Sequence, residues 1–460
     1  MSILLSLLPI LLPILALLAG IRSLYAALSG IATALIIMLT AFPHAGTELW
    51  PALARWLPVM SEVLLIVGGG LLLSETLRLN GAQAALADWI AARTGHGVQA
   101  VLLVVHGVTP FAESVTGFGI GVTIGIPLLI RLGLAPRRAA MIGLLGLCAV
   151  PWGSMAPGTL IAANMSGLTL RDLGLASAVL SVVPFTITGM IAAWLVQPSG
   201  RAVLQGLVSG LVLTLAVTLA NAVFGTAPAG AVGAVAVIAL HLLATRRADS
   251  PLAPMGRRGL RAYGLLLGGV LVAGGLLALT GQSGALHYAA SPALWLFVAA
   301  LWFCRGLPPE AARALAWRAF GKVAPVTAAF LFLGVLMSVS GMAALLAEGL
   351  SGAGKAYLPA SPFVAAAGGF ITGSNTGANA MLAATQAGIA RALGVDLLWF
   401  MAIHNVAASF LLMASPGKIE MAVQLAGAPE ARAEVQRFAL KVAAAVVACL
   451  ALLSTLQAVL

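Results

Sequence analysis

Two short stretches, PFAESVTGFG at 110–119 and ITGSNTGANA at 371–380, set hydroxyls, amides, glycines and one carboxylate inside long apolar runs. Irregular backbone at membrane depth is tolerated only against protein or a water-filled cavity. A helix broken there exposes N–H groups at the start of its second arm, and these, with the positive end of the helix dipole, attract anions. Ser114, Thr116, Ser374 and Thr376 would add hydroxyl donors at the same turns, and Gly117 and Gly377 would let backbone approach a ligand closely. Asn375 and Asn379 both donate and accept, which suits a ligand carrying a carboxylate and a hydroxyl. Lys418, in MASPGKIEM, is expected either to face an anionic substrate, or to snorkel toward the cytoplasm or pair with nearby Glu420.

Acids and imidazoles inside a membrane often belong to proton relays. Glu113 abuts the first hydroxyl motif and is the expected coupling acid, with a purely structural ion pair as the alternative. His106 and His404 are further candidates for carrying the proton, although a single histidine on an apolar helix also serves as a hydrogen-bonded packing residue. Enzyme signatures are thin. There is no HExxH, and GFGIGV at 117–122 does not follow a strand in a βαβ unit, so it is not a dinucleotide fingerprint. Ser374 with His404 could imitate an intramembrane serine-protease dyad, but the paired motif in the first half would then have no purpose. Cys148, Cys304 and Cys449 are isolated in apolar runs and supply neither a disulfide framework nor metal-ligand spacing. No cofactor and no metal are expected.

These residues need a scaffold, and the composition defines its class. Of 460 residues, 61% are hydrophobic and 8% charged, against about 25% charged in soluble domains. Charge-free runs such as 4–20, 178–196 and 442–460 are long enough to cross a bilayer, which takes roughly 20 residues. The chain is read as an all-α polytopic membrane protein whose first partner is the lipid bilayer. The net charge of +11 then reports loop topology, not nucleic-acid binding.

A shift of 260 residues superposes SVTG at 114–117 on SNTG at 374–377, and NGAQAALAD at 80–88 on SGMAALLAE at 340–348. APG at 156–158 and SPG at 415–417 fall one residue out of step. This predicts an inverted repeat of two halves, each with a re-entrant hairpin and a discontinuous helix, in about 12 full spans plus two hairpins. The units are N-terminal spans at 1–58, a first transport repeat at 59–196, connecting spans with basic loops at 197–322 and a second repeat at 323–460. Hairpin arms are expected at 98–112 and 118–131, and spans near 139–165, 285–304, 324–347 and 397–425. With both breaks taken as hairpins, one face receives 19 of the 24 basic residues, Arg246 and Arg247 among them. The other face receives only Arg55, Arg171, Lys355 and Arg391, and Lys418 stays inside a span. The basic face is cytoplasmic by the positive-inside rule, which leaves both termini outside.

The chain resembles the lactate permease family in FAESVTGFG with the apolar arm and LGL that follow (111–134), in ITGSNTGANAMLAATQ (371–386), and in HNVAASFLLMASPGKIEMA (404–422). It departs from the family pattern at Ile120 and Gly121 and is shorter than typical members. The resemblance implies uptake of lactate, and often glycolate, by proton symport across the bacterial inner membrane. More distantly, the paired hairpins are similar to those of sodium-coupled dicarboxylate transporters, so sodium coupling is the alternative. The expected ligand is a small anionic 2-hydroxy-monocarboxylate. The residues define no oligomeric state.

Overall fold

The computed structural model describes every residue except 1, 43–44, 118, 245–250, 282–283, 309 and 458–460, so Arg246 and Arg247 of the topology argument lie outside the described residues. All regular structure among the described residues is helical. The first half comprises α1 (Ser2–Leu18), α2 (Ser23–Ala41), α3 (Ala45–Leu79), α4 (Ala82–Thr94), α5 (Val98–Leu103), α6 (Thr109–Thr116), α7 (Ile120–Arg131), α8 (Pro136–Leu145), α9 (Pro157–Ser166), α10 (Leu170–Leu180) and α11 (Val182–Val196). Four helices follow: α12 (Gly200–Phe224), α13 (Thr226–Ala244), α14 (Pro254–Thr280) and α15 (Pro292–Phe303). The second half comprises α16 (Glu310–Val339), α17 (Met342–Ser351), α18 (Ser361–Thr372), α19 (Asn375–Ala392), α20 (Leu397–Leu411), α21 (Pro416–Ala426) and α22 (Arg432–Leu456).

Among the described residues, eleven helical stretches are long and apolar enough to cross a membrane. Large apolar side chains such as Leu215, Leu243 and Leu279 are exposed on helix surfaces, which is stable only in lipid. The chain is a multi-pass membrane protein. Four expected spans are subdivided, each at an identifiable breaker. The stretch 285–304 splits into a 3₁₀ segment (Gly284–Ala290) and α15, with Pro292 in the first turn and Ser291 Oγ accepting from the Ala293 N–H. The stretch 324–347 stops at Val339, because Gly341 (φ +81°) starts α17. The stretch 139–165 is interrupted by the 3₁₀ segment Gly146–Met155, and 397–425 by Leu412–Ala414 and Ser415 ahead of Pro416.

The first break falls later than the sequence suggests. The arm from Val98 stays helical through one π-helical turn (Val104–Val108) to Thr116. The chain then folds α7 back along this arm, bringing His96 Nδ1 within 2.9 Å of the Leu132 carbonyl. The second hairpin, α18–α19, closes similarly, with Gln386 Nε2 donating to the Ser361 carbonyl at 3.5 Å. Helices end at Leu79 and Val339, at Ser166 and Ala426, and at Val196 and Leu456, three pairs each 260 positions apart. Close helix approaches use small residues, as is common in membranes: a Cβ on Gly369 would overlap the Ala408 carbonyl between α18 and α20.

Candidate functional site

Four helices begin at one small cavity. Its walls include Glu113 at the end of α6, Gly153 and Ser154 of the 3₁₀ segment, Pro157 and Gly158 of α9, Ser374 to Thr376 of α19, and Lys418 of α21. Gly119, which caps α7, lies against Lys418, since a Cβ there would collide with Nζ. The first-turn N–H groups of a helix have no intrahelical partner and carry its positive partial charge. Proline in the first turn of both α9 and α21 starts these helices at the breaks. The cavity measures about 40 Å³, where one water needs roughly 10–15 Å³ on the same measure. That leaves room for a molecule of only a few heavy atoms.

Among the described residues, the ionisable groups lining the cavity are Glu113 and Lys418. Glu113 Oε1 accepts the Gly119 N–H at 2.9 Å and Oε2 accepts the Gly121 N–H at 3.1 Å. Glu113 therefore occupies the anion position at the start of α7. Lys418 is buried and interacts electrostatically with Glu113 across the two halves of the chain. It stands in the first turn of α21, where the helix dipole repels a cation. Its position is favourable only with negative charge nearby. Glu420, the alternative partner considered from the sequence, instead pairs with Arg432 at 3.4 Å.

The second hairpin supplies hydroxyls and amides. Ser374 caps α19, its Oγ accepting the Gly377 N–H at 3.3 Å. Asn375 and Asn379 enter a buried amide network centred on Asn405 of α20. Asn405 Oδ1 accepts from Asn375 Nδ2 at 3.2 Å and from Asn379 Nδ2 at 3.0 Å. Asn405 Nδ2 donates to Thr159 Oγ1 and to Ser177 Oγ, both at 3.1 Å. Asn379 Nδ2 also reaches the Gly158 carbonyl at 3.1 Å, tying the second hairpin to the first half. Gly158 makes room for this, because a Cβ would come within 2.6 Å of Asn375 Nδ2.

The first-half hydroxyls are placed differently from the sequence expectation. Ser114 is buried and packs toward Gly230 of α13 beside Trp152, outside the set of cavity-lining residues. The cause is helical geometry: α6 continues to Thr116, and neighbouring residues on a helix point about 100° apart. With Glu113 aimed at α7, Ser114 turns toward α13. Thr116 Oγ1 donates to its own helix at the Ala112 carbonyl, 2.6 Å away. Gly117 (φ +71°) admits Ser154, whose Oγ donates to the Thr116 carbonyl at 3.0 Å.

Neither histidine lines the cavity. His106 packs between α11 and α12, with Nδ1 2.8 Å from Ser209 Oγ and Nε2 3.4 Å from Thr188 Oγ1. His404 is buried with both ring nitrogens lacking a hydrogen-bond partner among the described residues, so it forms no dyad with Ser374. Two features escape sequence reading. Asn405 stands next to His404 in a charge-free helix, where an asparagine is itself a signal of buried hydrogen bonding. Ser154, Met155 and Ala156 form three successive left-handed residues without a glycine (φ 54°, 62° and 70°). Such backbone costs of order 1–3 kcal/mol per residue and clusters at functional sites.

The chain is thus a polytopic helical membrane protein in which residues of both halves meet at one small polar cavity. Residues 2–249 and 293–460 match the family described as L-lactate permease, and the chain belongs to that family. It is 32% identical over 123 residues to the L-lactate permease of Escherichia coli (strain K12), and 31% identical over 123 residues to that of Salmonella typhimurium (strain LT2). Each match covers 27% of this chain and 22% of the relative, so the aligned part spans about a fifth of those relatives' length. Among solved structures, the YdaH transporter of Alcanivorax borkumensis is similar with a TM-score of 0.49 and 15% identity, over 90% of this chain and 88% of that one.

Proposed function

We propose that the protein takes up lactate or a related small 2-hydroxy-monocarboxylate such as glycolate by proton symport across the bacterial inner membrane. The observation that carries this reading is the pairing of Glu113 with Lys418 in a cavity where four helices begin. The positive helix ends and Lys418 together favour negative charge, and among the described lining residues only Glu113 supplies it. A monocarboxylate would bring the second, but only against repulsion from Glu113. Protonating Glu113 removes that repulsion and releases Lys418 toward the substrate carboxylate. Proton and anion then each bind better when the other is present, which is the condition for coupling.

Ser374, Asn375 and Thr376 are the proposed substrate-binding groups with Lys418, and Asn379 and Gly377 support them. The amide of Asn375 suits the 2-hydroxyl, which both donates and accepts. The first hairpin contributes its acid and the close approach at Gly117 and Gly119. Ser114 and Thr116 act structurally in this scheme, and His106 and His404 are not required to carry the proton.

The proposed frame is an inverted repeat whose hairpins re-enter the membrane from opposite sides, with repeats at 59–196 and 323–460. The paired helix ends and the two closed hairpins support it. Ion pairs Arg131–Asp88 (2.5 Å) and Arg137–Glu434 (2.9 Å) join segments assigned to the cytoplasmic face. Arg391 donates to the Ser166 carbonyl and Arg171 to the Ala222 carbonyl, joining loops assigned to the outer face. Both assignments agree with termini outside. The test is uptake of radiolabelled L-lactate into proteoliposomes, with glycolate, pyruvate and malate as competitors. Accumulation driven by an inward proton gradient without sodium supports the reading. A strict sodium requirement would replace the proton, and equilibration without accumulation would mean a channel.

A further inference from the structure

On the surface away from the cavity, α5, α12 and α13 enclose an open groove lined by Gln99, Arg201, Gln205, Ser209 and His241 together with apolar residues. Its apolar walls face outward: Leu204, Val208 and Leu240 are each at least half exposed. In a multi-pass membrane protein that surface meets lipid. Arg201 and Gln205, one turn apart on α12, place a charge and an amide on it, and such groups are costly against hydrocarbon unless something satisfies them.

We infer that this groove binds one anionic phospholipid, with the phosphodiester at Arg201 and Gln99 and one acyl chain along Val208, Val212 and Leu240. Charge and length both select this occupant. Arg201 opens α12 and Gln99 opens α5, so the cationic end of the groove lies at one membrane boundary. Basic pockets between helices at the cytoplasmic boundary suit anionic headgroups. From Arg201 to Val212 the helix rises about 16 Å, roughly half of a core about 30 Å thick. One leaflet's acyl chain fills that depth.

The groove also touches the transport machinery from behind. The hydroxyl of Ser209, one of its lining residues, is 2.8 Å from His106 Nδ1. His106 lies in the π-helical turn that leads into α6 and Glu113. A lipid seated on Ser209 therefore buttresses the first hairpin at the turn where its helix is least regular.

The experiment uses the full chain in detergent, titrated separately with phosphatidylglycerol, phosphatidylcholine and inorganic phosphate, and read by native mass spectrometry and thermal unfolding. Phosphatidylglycerol is expected to bind and raise the unfolding midpoint, with phosphatidylcholine weaker. Arg201→Gln should weaken phosphatidylglycerol by about fivefold, the loss of one basic residue's attraction to an anionic lipid. Val208→Trp, which fills the groove, should abolish binding in a folded protein, whereas Arg318→Gln, an exposed control on α16, should not change it. Equal binding of the two lipids, full stabilisation by phosphate alone, unchanged binding to Val208→Trp, or a dimer that covers the groove would each overturn the proposal. None of these readouts depends on transport, so they test the lipid site apart from the symport reading.

Discussion

Glu113 and Lys418, 305 positions apart in sequence, line one cavity and interact electrostatically there. Glu113 is anchored by the N–H groups of Gly119 and Gly121 at the start of α7, and Lys418 lies against Gly119. Taking two charges out of water is expensive, and removing one partner leaves the other buried and uncompensated. The pair consequently has a structural cost that an anionic substrate can exploit.

Glu113→Gln is expected to separate exchange from accumulation. The amide keeps one oxygen acceptor near Gly119 but cannot cycle between charged and neutral forms. Proton-driven lactate accumulation should fall by at least about tenfold, a loss of roughly 1.4 kcal/mol or more of driving force, while lactate–lactate exchange persists. Exchange and accumulation measured on the same proteoliposomes check this. Normal accumulation would remove Glu113 as the coupling group.

Lys418→Ala should both weaken lactate binding and lower stability, by about 3–5 kcal/mol if Glu113 stays charged. The double variant Glu113→Gln/Lys418→Met should recover much of that stability without recovering transport, because neither charge is then stranded. Thermal unfolding of the two singles and the double forms the cycle. Additive losses would mean that the two residues are not coupled.

The two serine–x–threonine motifs should behave unequally. Ser374→Ala removes a helix cap, worth about 1 kcal/mol, and a hydroxyl at the cavity, so the apparent KM for lactate should rise about fivefold or more. Thr116→Val removes only a hydroxyl already bonded to Ala112, and transport should stay within about twofold of wild type. Equal defects in the two variants would restore the symmetrical site that the sequence suggests.

Asn405→Ala should strip hydrogen bonds from Asn375, Asn379, Thr159 and Ser177 together. Each unsatisfied buried group costs about 1–3 kcal/mol. The expected outcome is a large drop in unfolding temperature, and, in protein that still folds, a loss of discrimination between lactate and propionate, which lacks the hydroxyl. A variant with intact discrimination would show that the network only supports packing.

Hydropathy alone reveals the helices, and glycine and proline mark the breaks, because those residues change backbone conformation in any context. Lys418, Glu113 and Ser374 to Thr376 were legible for a similar reason: a polar group in an apolar run needs a partner. Direction was not legible. Whether Ser114 or Glu113 faces the cavity depends on α6 persisting to Thr116, and nothing local in SVTG sets that end. The partners of Asn405 lie 26 to 246 positions away, so its network has no local signature, and the left-handed turn at Ser154–Ala156 packs against Thr116 and Gly117. Position 260 residues apart predicts paired helix ends well, but it does not make paired side chains equivalent, since the breaks carry a carboxylate in one half and a lysine in the other.

In the proposed mechanism lactate binds together with a proton taken up by Glu113. Calorimetric titration of L-lactate into the purified protein, in buffers of different ionisation enthalpy near neutral pH, counts the protons that accompany binding. About one proton should be taken up per lactate by the wild-type protein and none by Glu113→Gln. Binding without proton uptake in the wild type, or equal uptake in both proteins, would contradict it.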